Sequence, residues 1–210
     1  LLTASKLSSA IDDIAQVDED LSNALSTVGY PEPRNRSAGF ETLVSTVVSQ
    51  QLSTKAADTI FSRVKAAVPE LSPRGLLSTP NEDLRGAGLS GRKVEYLRGL
   101  AEATISGEFD PVALESMDDE EAIQSIVQLR GFGKWTAKIY LMFSLSRNDI
   151  FPEDDLALLI ALQHLKRLDE RPSPSQALDL TLHWSPNRSA GSLFLWKYYR
   201  CKVRPESRGI

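Results

Sequence analysis

Apolar residues recur along this chain at steps of three and four, and no stretch alternates apolar with polar residues as a half-buried strand does. Phe40, Leu43, Val44, Val47 and Val48 form one such stripe, too long and too evenly spaced for a strand despite its valines. Start and stop signals divide the pattern into helices. Ser53-Thr54, Ser72-Pro73, Thr79-Pro80 and Ser90 open four of them, and Gly107 ends the one that Ser90 opens. Asp118-Asp119-Glu120-Glu121 puts acids in a first turn, where the helix dipole favours them. Further helices are predicted from Trp135 to Leu145, from Leu156 to Leu165, after Pro172 and Pro174, and from Arg188 to Tyr199. About ten helices without a repeat period make an all-α chain.

At 210 residues, with 41% hydrophobic and 25% charged side chains, the chain has the composition of a globular protein of one domain or two small ones. The predicted division is a lobe over 37–147 and a second lobe built from 1–36 together with 148–210. The longest apolar runs fall far short of the ~20 residues of a membrane span, and the first residues lack the pattern of a signal peptide. One cysteine, Cys201, excludes an internal disulfide and an iron–sulfur cluster ligated by four cysteines, and points to a reducing compartment. The net charge of −4 argues mildly against a polyanionic partner. Positive charge nevertheless collects near the C-terminus, where Lys197, Arg200, Lys202 and Arg204 follow one another with no acid between them. Such a cluster is either a solvated helix face or a contact for phosphates.

Leu129-Arg130-Gly131-Phe132-Gly133-Lys134-Trp135-Thr136-Ala137 joins two helices through paired glycines. Glycine reaches positive φ and leaves its amide unshielded, so a phosphate oxygen meets N–H groups at the start of the next helix. Gly131, Gly133, Lys134 and Thr136 would then grip a nucleic-acid backbone without reading its sequence. An ordinary glycine turn between antiparallel helices has the same form, and the turn alone does not decide between the two.

The motif L-x-G-F-G-x-W-T-A resembles the helix-hairpin-helix signature of the DNA glycosylase superfamily. An acid follows at the family's distance in Phe151-Pro152-Glu153-Asp154-Asp155-Leu156. Val47-Val48-Ser49-Gln50-Gln51-Leu52-Ser53 is similar to the family's Gln-Gln segment, and Trp184-Ser185-Pro186-Asn187-Arg188 with Leu195-Trp196 to the end of its alkylpurine branch. Taken in order, these segments resemble the 3-methyladenine DNA glycosylase II branch from about residue 40 to 200. The resemblance implies a two-lobed helix-hairpin-helix glycosylase fold with its active site in the cleft between the lobes. It also implies the compact form, without the N-terminal β domain of larger relatives.

From that resemblance, the expected activity is hydrolysis of the N-glycosidic bond of alkylated purines such as 3-methyladenine and 7-methylguanine in double-stranded DNA, within base excision repair. The base is flipped out of the stack, and a carboxylate stabilises the sugar cation that develops. Asp155 takes that role by register. On the residues alone Asp154 serves equally well; with Asp155 in that role, Asp154 is expected to cap the following helix. Bifunctional relatives carry a Schiff-base lysine where this chain has Trp135, so no lyase activity is expected. Trp135, Trp196 and Tyr140 match positions of the base pocket, where an electron-rich ring attracts a cationic base. Each of them also suits a packed core.

The same resemblance makes Gln50, Gln51 and Leu52 a wedge that fills the hole left by the flipped base. Arg92 and Lys93, at a helix start, would contact backbone phosphate. No cofactor is required. A monovalent cation on the carbonyls of Val127, Leu129 and Phe132 is implied by analogy with the family. The expected chain is a monomer acting in a prokaryotic cytoplasm and nucleoid or a eukaryotic nucleus.

Departures from the family pattern leave the range of bases open. Arg130 stands where proline is frequent, Asn187 replaces a frequent aromatic or basic residue, and Ile139 occupies a position that elsewhere adds an aromatic. The alternatives are a catalytically silent protein that binds DNA structure with the same fold, and a helical protein-interaction module whose glycine turn is incidental.

Overall fold

The computed structural model describes residues 2–68 and 70–205. The described residues form twelve α-helices and no strand. In chain order they begin with α1 (Ala4–Val17), α2 (Glu19–Val28), α3 (Phe40–Ser49), α4 (Thr54–Ala67), α5 (Pro73–Ser78) and α6 (Asn81–Gly86). They continue with α7 (Gly91–Ser106), α8 (Asp119–Val127), α9 (Lys134–Phe143), α10 (Leu156–Leu165), α11 (Pro174–Leu180) and α12 (Arg188–Tyr198). The two N-terminal helices are the ones that the periodicity reading did not single out.

Local chemistry accounts for the helix starts. Ser53, Ser72 and Ser90 each accept a backbone N–H from the first turn of α4, α5 and α7. Asp118 and Glu121 form a reciprocal capping box at α8, and Ser173 and Gln176 form another at α11. Gly107 ends α7 in the left-handed conformation, φ 80°. None of the helices among the described residues is long and apolar enough to cross a membrane.

Two compact units emerge. One comprises residues 36–140, and the other takes both chain ends, up to Asn35 and from Leu141. The division falls inside α9 rather than in the polar loop after it, seven residues before the predicted boundary at 147. In the 36–140 unit, Leu43, Val44, Val47 and Val48 of α3 are fully buried with Val64 of α4 and Leu97 of α7. The stripe read from the sequence is therefore the seam on which this unit closes.

In the unit of the two ends, Leu7, Ile11 and Ile14 of α1 and Leu21 of α2 are buried with Leu158 and Leu162 of α10 and Phe194 of α12. One carboxylate fastens the N-terminal helices to the C-terminal segment. Asp18 caps α2 through Leu21 N at 3.1 Å and accepts from Lys166 Nζ on both oxygens, at 2.7 and 2.8 Å. Trp184 Nε1 donates to its Oδ2 at 2.6 Å, and His183 Nε2 lies 2.9 Å from the same oxygen. Burial by itself would raise the Asp18 pKa; the hydrogen bonds from Lys166, Trp184 and Leu21 outweigh it and hold the carboxyl below its ordinary value.

Candidate functional site

The acid segment of the Leu141–Arg204 part is built by α12. Arg188 grips Asp149 in a two-pronged pair, Nε to Oδ1 and NH2 to Oδ2, both at 2.8 Å. Ser189 Oγ accepts Ile150 N at 3.0 Å and donates to Arg147 O at 2.7 Å. These bonds fix the loop that delivers Phe151, Pro152 and the acids beyond. The loop tightens again where Asp155 N donates to Pro152 O at 2.9 Å.

Asp155 is the last residue before α10 and its N-cap, with Oδ1 accepting Leu158 N at 3.0 Å. The register argument expects Asp154 to be the cap, and the structure gives that place to Asp155. A cap stands one residue before the helix, α10 begins at Leu156, and Asp154 lies exposed outside it. The carboxylate of Asp155 therefore sits at the positive end of a helix dipole. Trp196 Nε1, from α12, donates to the same Oδ1 at 3.2 Å. Phe143 backs the indole at a ring separation of 5.9 Å, and the Arg34 guanidinium lies over it, 5.9 Å from the ring centroid. One expected catalytic acid and one expected pocket aromatic thus meet directly. The sequence reading missed Arg34, which carries no motif beyond its place in Pro31-Glu32-Pro33-Arg34.

The 36–140 unit carries the expected DNA-contact residues. A depression of about 860 Å³ is walled by the end of α3, the start of α7 and the hairpin, with Gln51, Arg92, Gly133 and Trp135 among its lining residues. Gln51 holds a left-handed backbone, φ 59°, unusual for a side chain with a Cβ. Leu52 beside it is 39% exposed, a large apolar group turned to solvent. Gln50 behaves differently: its Nε2 donates to Gly131 O at 2.9 Å, tying the segment to the hairpin.

Only one of the two hairpin glycines is in the left-handed region. Gly131 has φ 93°, and a Cβ there would collide with the Tyr96 ring. Gly133 is exposed, and a Cβ on it would meet nothing within 4 Å, so the space beside it is open to an approaching group. Lys134 is exposed at the first position of α9, and Trp135 is 41% exposed one residue on.

Three of the expected site residues are turned into the protein, wholly or in part. Lys93 Nζ donates to Val48 O at 2.7 Å and Gln50 O at 2.8 Å, and burial lowers its pKa. Thr136 is only 5% exposed, on the inner face of α9. Tyr140 is 2% exposed, and its hydroxyl accepts Gly39 N at 2.8 Å, pinning the start of α3. Burial raises the Tyr140 pKa, Gly39 N–H lowers it in part, and the charge of Glu115 adds to the rise. Helical spacing could not foresee these placements, because each depends on which face of its helix lies against a neighbour.

The carbonyls of Val127, Leu129 and Phe132 belong to the end of α8 and the hairpin. Leu129 O accepts Phe132 N at 3.0 Å, and a carbonyl oxygen has a second lone pair. Among the described residues, no group of three histidine, cysteine or acidic side chains is placed to hold a metal ion.

The model of the HhH-GPD superfamily of base excision DNA repair proteins matches residues 44–186. DNA-3-methyladenine glycosylase 1 of Schizosaccharomyces pombe is 35% identical over 92% of this chain and 90% of its own length. The solved structure of a 3-methyladenine DNA glycosylase from that yeast, in complex with abasic DNA, superposes with a TM-score of 0.79 at 33% identity, covering 90% of this chain and 95% of that one. A DNA-3-methyladenine glycosidase from Bacillus halodurans superposes with a TM-score of 0.83 at 32% identity, covering 95% and 93%.

Proposed function

Because this chain belongs to the HhH-GPD superfamily of base excision DNA repair proteins and is a DNA glycosylase, we propose that it removes alkylated purines of the 3-methyladenine and 7-methylguanine type from duplex DNA, as a monofunctional monomer. The observation that carries the reading is the Asp155–Trp196 pair, a carboxylate and an indole joined at 3.2 Å. An N-alkylated purine is already a cation, so it leaves its sugar without help from a general acid. The protein's main task is to stabilise the positive charge that develops at C1′. Asp155 does so, the C1′–N bond breaks, a water oxygen bonds to C1′, and the proton that this water loses passes to solvent. The bonding electrons leave with the base, and the products are free base and an abasic site.

The face of Trp196 suits the leaving base, since an indole attracts a cation by its quadrupole. The Arg34 guanidinium over that ring supports this, being itself a cation on the indole. Trp135 offers a second aromatic surface and takes the place of a Schiff-base amine, so borohydride traps no covalent complex with DNA. Gln51 and Leu52 enter the stack, while Arg92, Lys134 and the amides around Gly133 hold phosphate. A monovalent cation, where bound, would be held by the carbonyls of Val127, Leu129 and Phe132, which are hard neutral donors suited to such an ion, and would add positive charge beside the hairpin. The protein works where the DNA lies, in a prokaryotic nucleoid or a eukaryotic nucleus.

Incubation with methylated duplex DNA, followed by chromatography of free bases, tests the proposal. Release of 3-methyladenine and 7-methylguanine well above an Asp155→Asn control is expected. No release of either base would leave the silent DNA-binding alternative in its place.

A further inference from the structure

We propose that Lys93, Gln50 and Tyr96 are positioning residues that lock the Gln51-Leu52 wedge to the glycine hairpin through α7, so that DNA meets wedge and hairpin as one rigid piece. The inference rests on the DNA-glycosylase reading above.

The contacts close a ring. Helix α3 ends at Ser49, and the last carbonyls of a helix lack partners within it. Lys93, in the first turn of α7, supplies them: its ammonium spans Val48 O and Gln50 O, on either side of the helix end, at 2.7 and 2.8 Å. A cation there also faces the negative end of the α3 dipole. From the same short segment, Gln50 reaches across to Gly131 O at 2.9 Å.

The hairpin is in turn seated on α7. Tyr96 follows Lys93 by three residues and so lies on the same face of the helix. Its ring fills the space where a side chain on Gly131 would begin. Arg130 lies over that ring at 6.0 Å and pairs with Glu95 at 3.4 Å. Lys93 therefore holds the wedge segment, Tyr96 holds the hairpin, and Gln50 joins the two directly. Between the fixed points, Gln51 and Leu52 are the residues turned out to solvent.

This assignment removes Lys93 from the phosphate contacts expected of it. To reach a phosphate it would have to abandon two carbonyls at the end of α3 and leave them without a donor. The two roles differ in a measurable way. A lysine that neutralises a phosphate adds about 0.9 to the slope of log affinity against log salt, and a lysine that positions the wedge adds nothing to it.

The experiment uses the full chain and a duplex holding a tetrahydrofuran abasic analogue, with 2-aminopurine beside the gap to report wedge insertion. Lys93→Met is expected to keep the wild-type salt slope and to slow the fluorescence change about tenfold or more, as a misplaced contact does. Gln50→Leu is expected to slow it similarly, and the double variant to be no slower than the worse single one. A salt slope lower by about 0.9 in Lys93→Met, an unchanged fluorescence rate, or additive effects of the two substitutions would each overturn the proposal. Should Lys93→Met fail to fold by near-ultraviolet circular dichroism, Gln50→Leu decides alone: an unchanged rate overturns the clamp. The probe contains no damaged base, so a failure to excise alkylated purines counts against the proposed substrate and leaves this measurement standing.

Discussion

Trp196 donates its indole N–H to the carboxylate of Asp155 at 3.2 Å, on the oxygen that also caps α10. One acid therefore has two fixed donors and a defined direction, as the proposed stabilisation of a sugar cation requires.

Asp155→Asn tests the chemistry apart from the fold. Asparagine caps a helix nearly as well as aspartate, so thermal stability changes little, whereas Asp155→Ala loses the cap and about 1 kcal/mol. Base release in single turnover is expected to fall by about a hundredfold or more with Asn, and the affinity for an abasic analogue to stay within a few-fold. Weak abasic binding by the Asn variant would mean that Asp155 grips DNA rather than the transition state.

Arg34 is expected to influence which bases are taken. Its guanidinium lies over the indole ring proposed to receive a cationic base. Arg34→Ala should improve the KM for 7-methylguanine relative to neutral hypoxanthine, by a factor worth about 0.5–1 kcal/mol. Competition between the two bases in one duplex population measures it, and an equal shift for both would show that the arginine does not compete for the ring.

The two hairpin glycines should separate fold from grip. Gly131→Ala places a side chain both in the left-handed region and against the Tyr96 ring, so the melting temperature should drop by several degrees. Gly133→Ala meets open space and should melt like wild type while binding the abasic analogue more weakly. Wild-type affinity in a folded Gly133→Ala protein would move the anchor away from the hairpin, towards Lys197, Arg200, Lys202 and Arg204.

Acid stability should report on Asp18. Its folded pKa lies below the unfolded value, so its contribution is present above the unfolded pKa of about 3.9 and is lost as pH falls through the folded one. Urea unfolding should show stability decreasing below about pH 4, with part of that loss absent in Asp18→Asn. The variant itself should lose about 1–3 kcal/mol at neutral pH, because Lys166 keeps only the half-buried Asp20, at 3.1 Å, once the buried charge of Asp18 is gone. An Asp18→Asn protein as stable as wild type at pH 7 would show that the network is not what ties the chain ends together.

What the sequence determined by itself is what closes within a few residues. Ser53, Ser72, Ser90 and the Asp118–Glu121 box announce helix starts because their partners lie three residues away. The glycine hairpin is legible for the same reason, whereas the roles expected of Asp155, Gln51 and Leu52 rest on the family resemblance. The start of α10 at Leu156 is legible too; the cap goes astray because the register argument keeps Asp155 for chemistry, whereas its one carboxylate both caps the helix and meets Trp196. The tertiary structure alone decided the rest. Lys93 meets carbonyls 43 and 45 positions away, Tyr140 an amide 101 positions away, and Asp18 a lysine 148 positions away. A buried donor or acceptor must find a partner, but its own side chain does not encode which helix will carry that partner past it. That is settled only when the apolar stripes pack.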